Sequence, residues 1–196
     1  MPKIIDHDQY RKELLSQCFD LFAEKGYAAI TMRQIAQGLK VSTGTLYHYF
    51  PSKEVLFEQM VREMALQDIQ NAIVEIQAKE TTLERIEAIF YFIAKHEDYF
   101  IKQNLIWFEF YQQQKRSGGD RLSLFCQVWK EYEQEISDLV AIKDKNLLKL
   151  LGCFIDGMLL HRMFDPEEFS LEQQIQLLMN MLKLYFDQHP EQGQTR

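Results

Sequence analysis

Ser42-Thr-Gly-Thr-Leu-Tyr-His-Tyr-Phe-Pro-Ser-Lys53 reads as one short helix and the start of the next. Ser42 has the side chain of an N-cap, whose oxygen takes an otherwise orphaned backbone N–H. Leu46 and Phe50 lie four apart and share an inward side. Pro51 stops the helix, because it has no N–H to give. Ser52 caps the helix that follows. Thr43, Gly44, Thr45, Tyr47 and His48 fall on or near the outer side. That side carries hydroxyls, two rings and no acid.

The same punctuation continues upstream. Thr31 and Gln34 form a capping box, and Ile30 and Ile35 occupy the hydrophobic-staple positions. A helix of about two turns therefore starts after Thr31 and ends in Gly38-Leu39-Lys40-Val41. Leu15, Cys18, Phe19 and Phe22 recur at i, i+3, i+4 and i+7, the spacing of one helix face. Gly26 follows that helix, where a left-handed cap is usual. Two short helices joined by a four-residue turn and braced by a first helix make a helix-turn-helix.

The chemistry of the outer side suits a nucleic-acid groove. Hydroxyls and N–H groups at a helix N-terminus bind phosphate oxygens. Gly44 permits close backbone approach. Thr45 offers a methyl or a hydroxyl to a base edge, Tyr47 and His48 can bond phosphates, and Lys53 brings a charge to a helix N-terminus. Periodicity alone leaves Tyr47, His48 and Tyr49 equally readable as packing residues. The paired caps favour DNA.

The rest of the chain is also helical, so the fold class is all-α. Leu56, Met60 and Met64 continue an apolar stripe in a helix expected to run from Ser52 to about Ala78. Leu83, Ile86, Phe90 and Ile93 form the next stripe. Ser117-Gly118-Gly119-Asp120 is a turn, with a long helix after it to about Leu139. Asn146 to Met163 is apolar nearly all round, which implies burial on several sides. Asp165-Pro166 breaks the chain. In the last helix Leu171, Ile175, Leu178, Leu182 and Tyr185 make one stripe, and Leu177, Met181 and Leu184 make a second.

The net charge of −7 over 196 residues argues against nucleic acid until its distribution is considered. Residues 1–53 hold seven basic and five acidic side chains, a net +2, which leaves −9 for the remainder. A mildly basic head on an acidic body confines any DNA binding to the head. Cys18, Cys126 and Cys153 are odd in number and each has apolar neighbours, so buried free thiols in a reducing, cytoplasmic setting are expected. No secretory signal or bilayer-spanning run is read, and no membrane partner is expected. The five histidines lack metal-ligand spacing, and no nucleophile elbow, phosphate loop or HExxH occurs. Neither an enzyme nor a cofactor or metal site is expected. A helical interaction or ligand-binding protein without DNA binding is the competing reading, but it leaves Thr31 to Lys53 unexplained.

Thr31-Met-Arg-Gln-Ile-Ala36 followed by Val41 to Lys53 resembles the DNA-binding signature of the tetracycline-repressor (TetR) family. The resemblance covers about the first 60 residues. It implies a helix-turn-helix domain over 1–53 and an effector-binding and dimerisation domain over 54–196. It also implies a homodimeric regulator, most commonly a repressor, on a palindromic operator. The DNA contacts it implies are Thr31, Arg33, Ser42, Thr43, Gly44, Thr45, Tyr47, His48 and Lys53. The family commonly has Ala-Gly where this chain has Leu39-Lys40, which leaves Lys40 to take a positive φ at a cost of order 1 kcal/mol.

The middle of the chain is dense in rings. Phe90, Trp107, Phe108, Tyr111, Phe125 and Trp129 are candidates for an aromatic-lined effector pocket that would suit a lipophilic small molecule. A packed core is the equal alternative for any one ring. Glu109, Asp156 and His161 are polar residues in apolar surroundings; one of them is a candidate to orient a ligand, and each reads more readily as a paired core group or an exposed one. The dimer interface is expected from the last two helices, through Leu151, Gly152, Ile155, Gly157, Leu177, Met181 and Leu184. A ligand that favours another spacing of the two heads would weaken operator binding, with the helix from Ser52 as the lever.

Overall fold

The computed structural model describes residues 6–118 and 122–193, without the side chains of 122–125 and 192–193. The described residues fold into helices α1 His7–Lys25, α2 Met32–Gly38, α3 Thr43–Tyr49, α4 Lys53–Ile76, α5 Thr82–Lys95, α6 Glu97–Ser117, α7 Leu122–Val140, α8 Lys145–Phe164, α9 Leu171–Gln188 and α10 Pro190–Gly193. The chain is all-α, as its periodicity dictates. Two compact units are present. One comprises Met1–Gln67 with Leu105–Val128, and the other Asp68–Asn104 with Trp129–Arg196.

Local chemistry sets the helix ends. Asp6 caps α1 by accepting the N–H groups of Asp8 and Gln9 at 3.0 and 3.1 Å. Gly26 ends it at φ 76, with its N–H on the Phe22 carbonyl at 2.9 Å. The capping box expected at Thr31 and Gln34 is present, and Thr81 and Glu84 build a second at the start of α5. Ser52 Oγ accepts the Val55 N–H at 3.2 Å.

In the first unit, Leu15, Cys18, Phe19 and Phe22 of α1 face inward as expected. Around them lie Ile30, Ile35, Leu46, Phe50, Leu56 and Met60, all 1% exposed or less. The Tyr27 ring sits 4.8 Å from Phe57 and 5.0 Å from Phe110, edge to face, and Phe57 stacks on Phe110 at 4.5 Å. Burying such a ring contributes about 2–3 kcal/mol. A Cβ on Gly38 would come within 2.7 Å of the Leu21 methyls, which would have to shift to admit it. Burial pushes the Cys18 thiol up to about 12, so it stays protonated. The expectation of three buried thiols fails for Cys126 and Cys153, which are exposed.

In the second unit, Ile86, Phe90 and Ile93 of α5 meet Leu147, Leu148, Leu151, Met158 and Leu159 of α8 and Ile175, Leu178 and Leu182 of α9. Arg162 donates to Glu97 at 2.9 and 3.3 Å and to the Phe169 and Pro166 carbonyls, fixing the α8–α9 connection. The apolar α8 is not buried all round within one chain. Leu150, Leu160 and Phe164 are exposed by 61, 47 and 79%. Leu151, expected at the dimer interface, instead points into the chain's own core at 5% exposure. One turn of helix cannot aim neighbours 150 and 151 the same way.

Candidate nucleic-acid interface

The turn between α2 and α3 is a Schellman motif. The Val41 N–H reaches back to the Ala36 carbonyl at 3.0 Å, and the Lys40 N–H to Gln37 at 3.1 Å. This geometry requires a left-handed residue after the cap, usually glycine. Lys40 fills it at φ 57.

Ser42 then starts α3. Its Oγ accepts the Thr45 N–H at 2.9 Å and lies 2.8 Å from Thr45 Oγ1. Leu46 and Phe50 are fully buried and anchor the helix from beneath. Tyr49 turns inward as well, with its hydroxyl 2.7 Å from His7 Nδ1 and its ring 5.5 Å from Tyr10. Ser42, Thr43, Gly44, Tyr47 and His48 are exposed and Thr45 half-buried. Tyr47 keeps 49% of its surface in solvent. A Cβ on Gly44 would meet only Ser42 Oγ, at 3.7 Å. Nothing inside the protein therefore demands glycine there. Thr31 and Arg33 are exposed at the start of α2.

Lys53 departs from its expected role. Its ammonium donates to the Tyr27 carbonyl at 2.7 Å and the Ile30 carbonyl at 2.9 Å. Its nitrogen also lies 4.6 Å from the centre of the Tyr27 ring. Burial lowers its pKa, opposed by the nearby Glu54 and Glu109. With two of three donors held inward, Lys53 braces the interface from behind rather than offering a free phosphate ligand.

Glu109, weighed from sequence as a ligand-orienting group, completes this brace. Its carboxylate accepts the N–H of Tyr27 at 2.9 Å and of Ala28 at 3.0 Å. A Cβ on Gly26 would strike that carboxylate at 2.7 Å. Carbonyls held by Lys53 and N–H groups held by Glu109 thus fix the short connection from α1 to α2. That connection sets where Thr31 and the two interface helices begin.

The expected effector rings differ in burial. Phe90 belongs to the core of the second unit, while Phe108, Tyr111 and Trp129 are exposed and Trp107 is half-buried. Phe125 lies outside the described side chains. Successive residues of a helix cannot all face inward, and Ile106 and Phe110 take the inner positions of α6. Of the other polar candidates, Asp156 accepts from Asn104 at 3.5 Å and His161 stacks on Phe169 at 5.4 Å. The sequence reading missed Asp68, whose carboxylate is buried and bonded to Tyr99 and Gln103. The available signal was its place on the stripe Phe57, Val61, Met64, Asp68, Ala72.

Residues 14–60 match the family model for bacterial regulatory proteins, tetR family. That segment is the DNA-binding region of TetR-family regulators. Over 90% of its length the chain is 24% identical to the HTH-type transcriptional regulator BetI of Rhizobium meliloti (strain 1021), covering 89% of that protein. It is 26% identical to the HTH-type transcriptional regulator PksA of Bacillus subtilis (strain 168), with 91% of each chain covered. Its fold matches that of a Saccharomonospora viridis protein solved in complex with choline, with a TM-score of 0.66 and 16% identity, covering 90% of this chain and 97% of that one. The chain carries the DNA-binding region of a transcriptional regulator. Among the described residues no helix is long and apolar enough to cross a membrane.

Proposed function

We propose that the chain works as a homodimer that reads a palindromic operator through α3 of each copy, represses transcription there, and is released by a small organic effector. Residues 1–53 would read DNA, and residues 54–196 would hold the effector and the dimer contacts. The observation that carries this reading is an apolar face left uncovered in the single chain. Leu150, Gly157, Leu160 and Phe164 of α8 recur at i, i+7, i+10 and i+14, and Leu177, Met181 and Leu184 of α9 at i, i+4 and i+7. The three α9 residues are exposed by 58, 61 and 65%. A Cβ on Gly152 or Gly157 would meet nothing within 4 Å, which leaves room for a partner helix. Clustered exposed apolar side chains of this kind mark protein–protein interaction sites. A two-fold pair of α8–α9 hairpins would cover it with self-complementary contacts.

Two heads on a two-fold axis match half-sites about one DNA turn, ~34 Å, apart. Ser42, Thr43, Gly44, Thr45, Tyr47 and His48 would face the groove, with Thr31 and Arg33 beside them. The aromatic run of α5 to α7 supports an effector with apolar surface. The choline complex of the Saccharomonospora viridis protein supports a small-molecule ligand in a chain of this fold.

The test combines sedimentation with gel shifts on a duplex selected from genomic DNA. Met181→Glu puts a charge in the uncovered face. It is expected to yield a folded monomer that binds the operator at least about 100-fold more weakly, because one head loses the second head's contacts. Tyr47→Ala is expected to stay dimeric and lose about tenfold in operator affinity. A Met181→Glu dimer of wild-type stability, or unchanged binding by Tyr47→Ala, would overturn the corresponding part of the reading.

A further inference from the structure

Asp68 interrupts the inward stripe of α4 with a carboxyl group only 5% exposed. Two donors reach it. The Tyr99 hydroxyl bonds Oδ1 at 3.0 Å, and Gln103 Nε2 bonds Oδ2 at 2.9 Å. Gln103 is itself 4% exposed. Both donors are neutral, and no Lys, Arg or His side chain figures among the groups that act on Asp68 among the described residues. The two bonds satisfy oxygen lone pairs but leave an uncompensated negative charge. Proteins ordinarily pair such a charge or avoid it, because desolvation costs several kcal/mol. An apolar residue at this stripe position would serve packing alone.

The surroundings of the carboxylate are aromatic. The Asp68 charge acts on the phenols of both Tyr99 and Tyr132, and with burial it drives both pKa values upward. Tyr99 and Tyr132 are half-buried. The Trp129 indole lies 6.2 Å from the Tyr132 ring and is 39% exposed. The indole thus lies beside the Tyr132 phenol, and that phenol is near enough to feel the buried carboxylate. Ring faces and a buried anion are the two features that stabilise a positively charged nitrogen carrying apolar substituents.

We propose that Asp68, with Tyr99, Tyr132 and Trp129, forms a binding site for an organic ammonium cation. The cation supplies the charge that Asp68 lacks, and its alkyl groups lie against the rings. The proposal rests on the effector reading above only for its consequence at the operator. The site itself is a claim about this cluster.

The experiment is calorimetric titration of the full-length protein with tetramethylammonium, choline and benzyltrimethylammonium. Choline is compared with its uncharged carbon counterpart, 3,3-dimethylbutan-1-ol. Saturable binding of at least one cation is expected, with choline at least tenfold tighter than the uncharged alcohol. Asp68→Asn should weaken cation binding about 30-fold or more. Trp129→Leu lies at the exposed end, so it spares the fold, and it should weaken cations severalfold while leaving the thermal midpoint unchanged. Absence of binding by all three cations, equal affinity for the uncharged alcohol, or wild-type affinity in both variants would overturn the site. Operator titrations then separate the two readings. Cation binding that leaves operator affinity unchanged keeps the site and removes the effector role. Release by uncharged compounds alone, with no cation bound, keeps the effector role and removes the site.

Discussion

Replacing Glu109 by Ala removes both acceptors of the Tyr27 and Ala28 N–H groups, held at 2.9 and 3.0 Å. A hydrogen bond to a charged group contributes about 1.5–3 kcal/mol. Ala28 is exposed, so water restores most of its bond, whereas the Tyr27 N–H is part-buried and keeps its desolvation cost. The net loss should be about 2–4 kcal/mol. Lys53→Met removes the two bonds to the Tyr27 and Ile30 carbonyls and should cost about 2 kcal/mol. Both residues hold Tyr27, so the two losses should not add. Once one side of the connection is free, the other restrains less, and the double variant should fall short of the sum by about 1 kcal/mol. Urea unfolding followed by circular dichroism measures each free energy. Gel shifts under native conditions should show operator affinity falling about tenfold in each single variant, because Thr31 and α2 start from a less fixed connection. Single variants within 0.5 kcal/mol of wild type, or strict additivity, would refute the brace.

Thr82 is fully buried, and its hydroxyl has no hydrogen-bond partner among the described residues. Thr82→Val should therefore raise stability by about 1 kcal/mol in thermal unfolding; a loss would mean that the hydroxyl is satisfied. Lys40→Gly relieves the positive φ of 57 and should stabilise by about 0.5–1 kcal/mol, read by urea midpoint. Burial raises the Asp68 pKa from 3.8 to about 6, opposed by its bonds to Gln103 and Tyr99. The folded state then binds more protons than the unfolded one between those values. Asp68 should therefore add stability, of order 1–3 kcal/mol, as pH falls from 7 to 4. In Asp68→Asn that gain should vanish from the difference between paired pH–stability curves, and identical curves would refute it.

The helix-turn-helix was legible because its signals are short-range. A cap at Thr31 or Ser42 acts within one turn, and Pro51 acts on its own backbone. The inward residues Leu46 and Phe50 followed from a spacing of four. The positive φ of Lys40 was implied by the family resemblance, which has glycine at that place in the turn. The burial of the aromatic residues in the middle of the chain was not legible. A run such as Trp107 to Tyr111 gives hydrophobicity without direction, and the helix phase is set by what packs against it. Phe110 turned inward against Tyr27 and Phe57, which sent Phe108 outward. The same phase problem separates Leu150 from Leu151 on α8. Asp68 carried a readable signal, a charge on an apolar stripe, but its partners Tyr99 and Gln103 were not deducible from spacing.

By itself the sequence determined the element order, the caps and the outward polar side of α3, because each depends on groups a few residues apart. Tertiary structure alone decided that Lys53 turns back onto Tyr27 and Ile30, that Glu109 reaches Tyr27 across 82 positions of chain, and that a carboxylate sits among phenols in the second unit. A side chain with several possible partners takes the one that the packing of distant helices brings within 3 Å. That distance is not encoded in the local order of residues.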